Sequence, residues 1–113
     1  MQDQENTKQE SVSENRRRHF RVAYPPHDRP YIKIRGYEFE VIDVSEGGLR
    51  FINDQEVKLA KWFRVALIFS DGQVIERESR VVWRHEDLYG IEFVMPIPYK
   101  TILKEQRYLI QLS

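Results

Sequence analysis

The stretch WFRVALIFSDGQVIERESRVVWR, residues 62–84, decides the fold class. Phe63, Val65, Leu67 and Phe69 recur at every second position, which gathers all four on one face of a strand. Ser70-Asp71-Gly72 follows with turn residues, and Gln73 to Arg84 reads as a second strand, so the segment predicts an antiparallel hairpin. Upstream, Tyr31 to Arg35 and Tyr37 to Val44 read as strands on either side of Gly36, and Gly48 to Ile52 as the next; downstream, Leu88 to Val94 is the last. Short strands with turn signals at this close spacing favour a barrel or a sandwich over a helix-covered parallel sheet.

Outside these strands the pattern changes. After Pro96 and Pro98, residues Tyr99, Ile102, Leu103, Leu109 and Ile110 recur at helical spacing, and an amphipathic terminal helix is expected over about 98–112, packed on the strands. Pro25 to Pro30 holds three prolines in six positions and reads as a rigid loop. Residues 1–15 are mostly Gln, Glu, Ser and Asn, with little to bury, and are expected to form a flexible arm. The arm meets the fold at Arg16-Arg17-Arg18-His19-Phe20-Arg21, the densest positive charge in the chain, next to the first apolar alternation Phe20, Val22, Tyr24. The expected organisation is therefore an arm over 1–15 and a domain over 16–113, with strands to about residue 94.

Composition narrows the function classes. In 113 residues, 18 basic side chains balance 18 acidic ones, so any anion site must be local and a general nucleic-acid coat is excluded. No apolar run is long enough to span a bilayer and the acidic start is unlike a signal peptide, so a cytoplasmic protein without membrane insertion is expected. The absence of cysteine excludes disulfides and thiolate metal sites. His19, His27 and His85 lie in separate segments without ligand spacing, and no metal is assigned.

Two motifs remain, Arg17-x-x-x-Arg21 and Asp43-x-Ser45-x-x-Gly48. With 12 arginines in the chain, one pair at spacing four arises by chance, and Arg80 with Arg84 forms another, so the first motif alone means little. For the second, nine Asp or Asn, six Ser and five Gly give roughly 0.02 chance occurrences. In order and spacing this pair resembles the signature of the PilZ family. Gly48-Leu49-Arg50-Phe51, Val82-Trp83-Arg84 and Leu88 to Phe93 extend the likeness, which covers about residues 16–94. The resemblance implies an all-β fold, a six-stranded antiparallel barrel with a C-terminal α-helix, and a receptor for the bacterial second messenger cyclic di-GMP.

The residue types suit that ligand. Guanidinium forks of Arg17 and Arg21 match phosphate oxygens and the O6/N7 edge of guanine, with Arg16 and Arg18 as further candidate contacts. Asp43 offers acceptors for the guanine N1–H and amino group, and Ser45 can satisfy a nearby polar group of base or backbone. Gly48, like Gly47, permits close backbone approach, and Trp83 can stack on a base. Three consecutive arginines and Trp83 suggest two ligand molecules per chain. No cofactor is expected beyond this ligand. No nucleophile elbow or HExxH helix is present, so the chain is read as a receptor and not an enzyme. Its output would pass to an effector protein, in pathways such as motility or biofilm control. The alternative is a barrel that binds no nucleotide messenger and instead docks a protein or single-stranded RNA.

Overall fold

A computed structural model describes residues 20–112. The expected arm, and with it Arg16, Arg17 and Arg18, lies outside the described residues. Among the described residues the strands are β1 (Val22–Ala23), β2 (Tyr31–Ile34), β3 (Tyr37–Val44), β4 (Gly48–Ile52), β5 (Phe63–Ile68), β6 (Val74–His85) and β7 (Leu88–Phe93), followed by helix α1 (Tyr99–Leu112). A single 3-10 turn, Pro26–Asp28, occupies the proline loop.

The sheet runs β1-β3-β2-β5-β6-β7-β4, and a further β3–β4 pairing closes it. The ring is therefore the expected six-stranded antiparallel barrel. The two-residue β1 is an addition, lying along β3 beyond the end of β2 with Val22 opposite Val44 and Ala23 opposite Asp43. Closure leaves no long unpaired edge to recruit another strand. The hairpins follow from local chemistry. Arg35 and Gly36 both have positive φ, 54° and 89°, in the two-residue loop between β2 and β3, matching the twist of the strands it joins. At the β5–β6 turn, Gly72 has φ 88° and the Asp71 carboxylate accepts from the Gln73 N–H at 2.9 Å.

Period-two alternation sends Ile32, Ile34, Phe39, Val41, Leu49, Phe51, Val65 and Leu67 into the interior, each at most 1% exposed. Phe39, Phe51 and Tyr89 form an aromatic spine with centroid separations of 5.3 and 5.6 Å. Each such side chain contributes about 1.5–3 kcal/mol relative to remaining in water. Helix α1 covers the barrel through Ile102, 0% exposed, with Leu109 packed against the core. Ile110, expected on the packed face, is instead 65% exposed. Its place in the helix's anchoring is taken by a charged residue. Glu105 is 3% exposed; its carboxylate accepts from the Tyr24 hydroxyl at 2.6 Å, from the Ser70 hydroxyl at 2.9 Å and from the Ser70 N–H at 3.2 Å. Burial, then the bond to Glu105 and its charge, push the Tyr24 pKa far above its ordinary value.

Candidate functional site

Strict alternation along β3, with Phe39 and Val41 inward, would point Asp43 into the barrel. A bulge intervenes between Val41 and Asp43: Val41 pairs with Phe51, but Asp43 pairs with Arg50. Because Leu49 and Phe51 face inward, Arg50 faces outward, and the bulge turns Asp43 to that same outer face. A second bulge does the same on β6. Val81 pairs with the inward Ile91, yet Trp83 pairs with Gly90, whose neighbours Tyr89 and Ile91 send their side chains into the core. Two inserted residues, Ile42 and Val82, thus re-aim an acid and an indole onto one surface, a use of bulges common beside binding sites.

The strand register places these side chains in one row: Ala23 opposite Asp43, Asp43 opposite Arg50, Arg50 opposite Gly90, Gly90 opposite Trp83. Asp43 is 1% exposed although it carries a charge. Arg21, immediately before β1, donates through Nη1 to Oδ1 at 3.1 Å. Arg50 donates through Nε to Oδ2 at 2.7 Å and through Nη2 to the same oxygen. A buried carboxylate between two cations is the arrangement that makes burial tolerable. The bond to Asp43 raises the already high pKa of Arg50, which is a permanent cation. The arginine side chains remain open to solvent, 44% for Arg21 and 38% for Arg50.

The Asp-x-Ser-x-x-Gly turn has its own geometry. Ser45 is buried; its N–H and its hydroxyl both donate to the Gly48 carbonyl, at 2.8 and 3.2 Å, closing the turn between β3 and β4. Gly48 sits where β4 meets β7. A Cβ there would meet the Ile91 carbonyl oxygen far inside 3.0 Å and the Ile91 carbonyl carbon at 3.1 Å. The Gly47 carbonyl accepts from the Phe93 N–H and the Glu46 carbonyl from the Ile97 N–H, each at 2.8 Å. The same turn therefore holds both β3–β4 and the segment leading to α1.

Trp83 is 40% exposed, and its indole lies over Gly90, occupying the space that a Cβ on Gly90 would need. The Nε1 side of the indole thus rests on bare strand, and part of the ring stays open to solvent. In the adjacent row the Arg80 guanidinium lies over the Trp62 ring, 5.6 Å from its centroid, and pairs with Glu92 at 3.5 Å.

Of the residues expected from sequence, Asp43 and Trp83 share one row across β3-β4-β7-β6, Arg21 reaches Asp43 from the segment before β1, and Ser45 and Gly48 form the turn between β3 and β4. Arg16, Arg17 and Arg18 lie outside the described residues. Arg50 and Gly90 were not singled out as site residues. The signal for Arg50 was its position two residues beyond Gly48, on the outward face of the strand that returns beside Asp43.

A cavity of about 730 Å³ opens at the far end of β4, lined among others by Asn53, Val57, Leu59, Val81 and Tyr89. Lys58 and Arg84 there face Glu56, Glu86 and Asp87, so it lacks the excess of cations found around Asp43. No cluster of metal-capable side chains forms among the described residues, and none of their helices is long and apolar enough to cross a membrane.

Comparisons with known proteins agree with this architecture. The family model described as PilZ domain matches residues 15–111. An uncharacterized protein of Legionella, Lpg0364, is similar in structure with a TM-score of 0.58 at 16% identity, over 83% of this chain and 94% of that one. The PlzA protein of Borreliella burgdorferi, solved in complex with c-di-GMP, is similar with a TM-score of 0.53 at 18% identity, over 89% of this chain and 45% of that one. A search of curated proteins finds no match.

Proposed function

The chain belongs to the PilZ domain family, and from that premise we propose that it is a cyclic di-GMP receptor whose site lies on the outer face of β3, β4, β7 and the end of β6. The observation that carries the reading is the row from Asp43 through Arg50 to Trp83, with Arg21 closing over Asp43 from the segment before β1. A ligand of two guanines and two phosphodiesters asks for guanidinium forks, a carboxylate and an aromatic face on one surface, and these groups share one row of the sheet here. PlzA, similar in fold, was solved with this ligand, which supports the choice of messenger.

The site binds and does not transform. Ser45 spends its hydroxyl on the Gly48 carbonyl, and no histidine accompanies it in the turn. Arg17 and Arg21 hold the ligand from the segment before β1, and Arg16 and Arg18 add charge. Binding orders that segment against the barrel, and a partner protein reads the ordered surface in the cytoplasm. The rival reading, a barrel that docks protein or single-stranded RNA, makes no use of the buried Asp43 between two arginines.

Calorimetric titration of the full chain with cyclic di-GMP, cyclic di-AMP and a single-stranded oligoribonucleotide tests the proposal. Cyclic di-GMP binds at least about a hundredfold more tightly than cyclic di-AMP, because adenine places a donor where guanine offers O6 to arginine. Equal affinities for the two dinucleotides, or preference for the oligonucleotide, refute it.

A further inference from the structure

We infer that Arg50 is a further ligand-reading residue: with Trp83 across Gly90, it forms a slot in which one guanine stacks on the indole and turns its O6/N7 edge to the Arg50 guanidinium. This rests on the cyclic di-GMP reading above and assigns the base recognition within it.

Three features of the row support the slot. First, Arg50 is oriented before any ligand arrives. Its Nε and Nη2 both bond Asp43 Oδ2, fixing the guanidinium plane, while Nη1 makes no hydrogen bond among the described residues and the side chain is 38% exposed. A donor held in place loses little conformational freedom when it binds. Second, Arg50 stands opposite Gly90, so the strand between it and Trp83 carries no side chain to fill the gap. Third, Trp83 leans over Gly90, toward β4, and not away from it: its Nε1 and Cε2 are the atoms nearest a Cβ built on Gly90. The indole covers β7, and Arg50 rises from the next strand, about 5 Å further across the sheet, with its guanidinium turned on toward Asp43 of β3. A purine resting on the indole and directed toward β4 presents its edge to the Nη1 side of the guanidinium, and guanine offers the two acceptors that such an edge requires.

Asp43 then has a different task from the one its chemistry alone suggested. Its three accepted bonds come from Arg21 and Arg50, so it acts as the common anchor that sets two reading arginines at a fixed separation.

The experiment is calorimetric titration of wild type, Arg50→Ala and Arg50→Lys with cyclic di-GMP, and with cyclic di-AMP by competition, together with Arg50→Ala in an Asp43→Asn background. Arg50→Ala weakens cyclic di-GMP at least about tenfold and cyclic di-AMP much less, so the preference between them narrows; Arg50→Lys does not restore it, since an ammonium has no fork. In the Asp43→Asn background, Arg50→Ala still costs at least about fivefold, which a residue acting only through Asp43 would not. Melting temperatures establish that each variant folds, and Arg50→Gln replaces the alanine variant if it does not. Equal losses for both dinucleotides would assign Arg50 to phosphate and overturn the guanine slot. An unchanged cyclic di-GMP affinity in Arg50→Ala, with wild type binding normally, overturns the inference alone. A wild type that does not bind cyclic di-GMP overturns the receptor reading and the slot with it.

Discussion

Replacing Gly48 by alanine isolates the tightest backbone approach in the proposed site. The new Cβ would overlap the Ile91 carbonyl oxygen and press on Ile91 C and Glu92 Cα, at 3.1 and 3.3 Å, all of them backbone atoms that cannot swing aside. The β4 and β7 backbones must part by roughly 1 Å, as in an overpacked core, at about 1–3 kcal/mol. The Phe93 N–H to Gly47 carbonyl bond, 2.8 Å long and one residue away, is stretched beyond a useful length, adding about 1 kcal/mol. Alanine recovers about 0.5–1 kcal/mol of backbone entropy relative to glycine. The net cost is about 1–3.5 kcal/mol, and for a domain of this size the melting temperature falls by roughly 5–25 °C. Gly47→Ala is the matched control, since a Cβ there meets nothing within 4 Å and its φ is not in the left-handed region. It should melt within about 2 °C of wild type. Differential scanning calorimetry of the pair reads both numbers. A Gly48→Ala melting point as close to wild type as that of Gly47→Ala would refute the close approach, and with it the account of why this turn ends in glycine.

Further expectations concern binding and pH. Arg21→Ala, and Arg17→Ala outside the described residues, should each weaken cyclic di-GMP at least about tenfold by calorimetric titration. The melting temperature of Arg21→Ala should change little, because Arg50 still holds Asp43 and Arg21 is 44% exposed. Saturation at two cyclic di-GMP per chain is expected from the arginine run and the exposed Trp83; an endpoint of one refutes it. The raised Tyr24 pKa gives a signed pH dependence. Its folded value lies above the unfolded value of about 10, so its contribution is complete below pH about 10 and is lost as pH rises toward the folded value. Denaturant melts between pH 8 and 11 should therefore show stability falling at the alkaline end, and Tyr24→Phe should fall less steeply.

The strands were legible in the sequence because β2, β3 and β5 alternate toward one buried face, and because Gly36 and Asp71-Gly72 sit where the hairpins need them, the second turn leading into β6 although only Ser79 of that strand is buried. The row proposed as the site was less legible. Alternation assigns Asp43 and Trp83 to the interior, and only the bulges at Ile42 and Val82, which leave no mark in an unaligned sequence, reverse both. Arg50 was visible as part of a motif continuation, but its partnership with Asp43 depends on a register set by the first of those bulges. Glu105 was missed for a different reason. A carboxylate in a helix reads as solvent-facing, and its burial depends on Tyr24 and Ser70, 81 and 35 residues away in the chain.

That carboxylate has a consequence for how the molecule can be handled. Tyr24 lies three residues beyond Arg21, and through Glu105 it is bonded to the helix that follows the barrel. The segment that delivers Arg21 to Asp43 and the helix are therefore moored at the same post. Force applied to α1, by a fused domain or a surface that grips the helix, reaches the first strand without crossing the barrel interior. A handle attached after α1 is thus not remote from the proposed site, whereas one inserted at the Arg35-Gly36 turn pulls on the end of β3 opposite to Asp43.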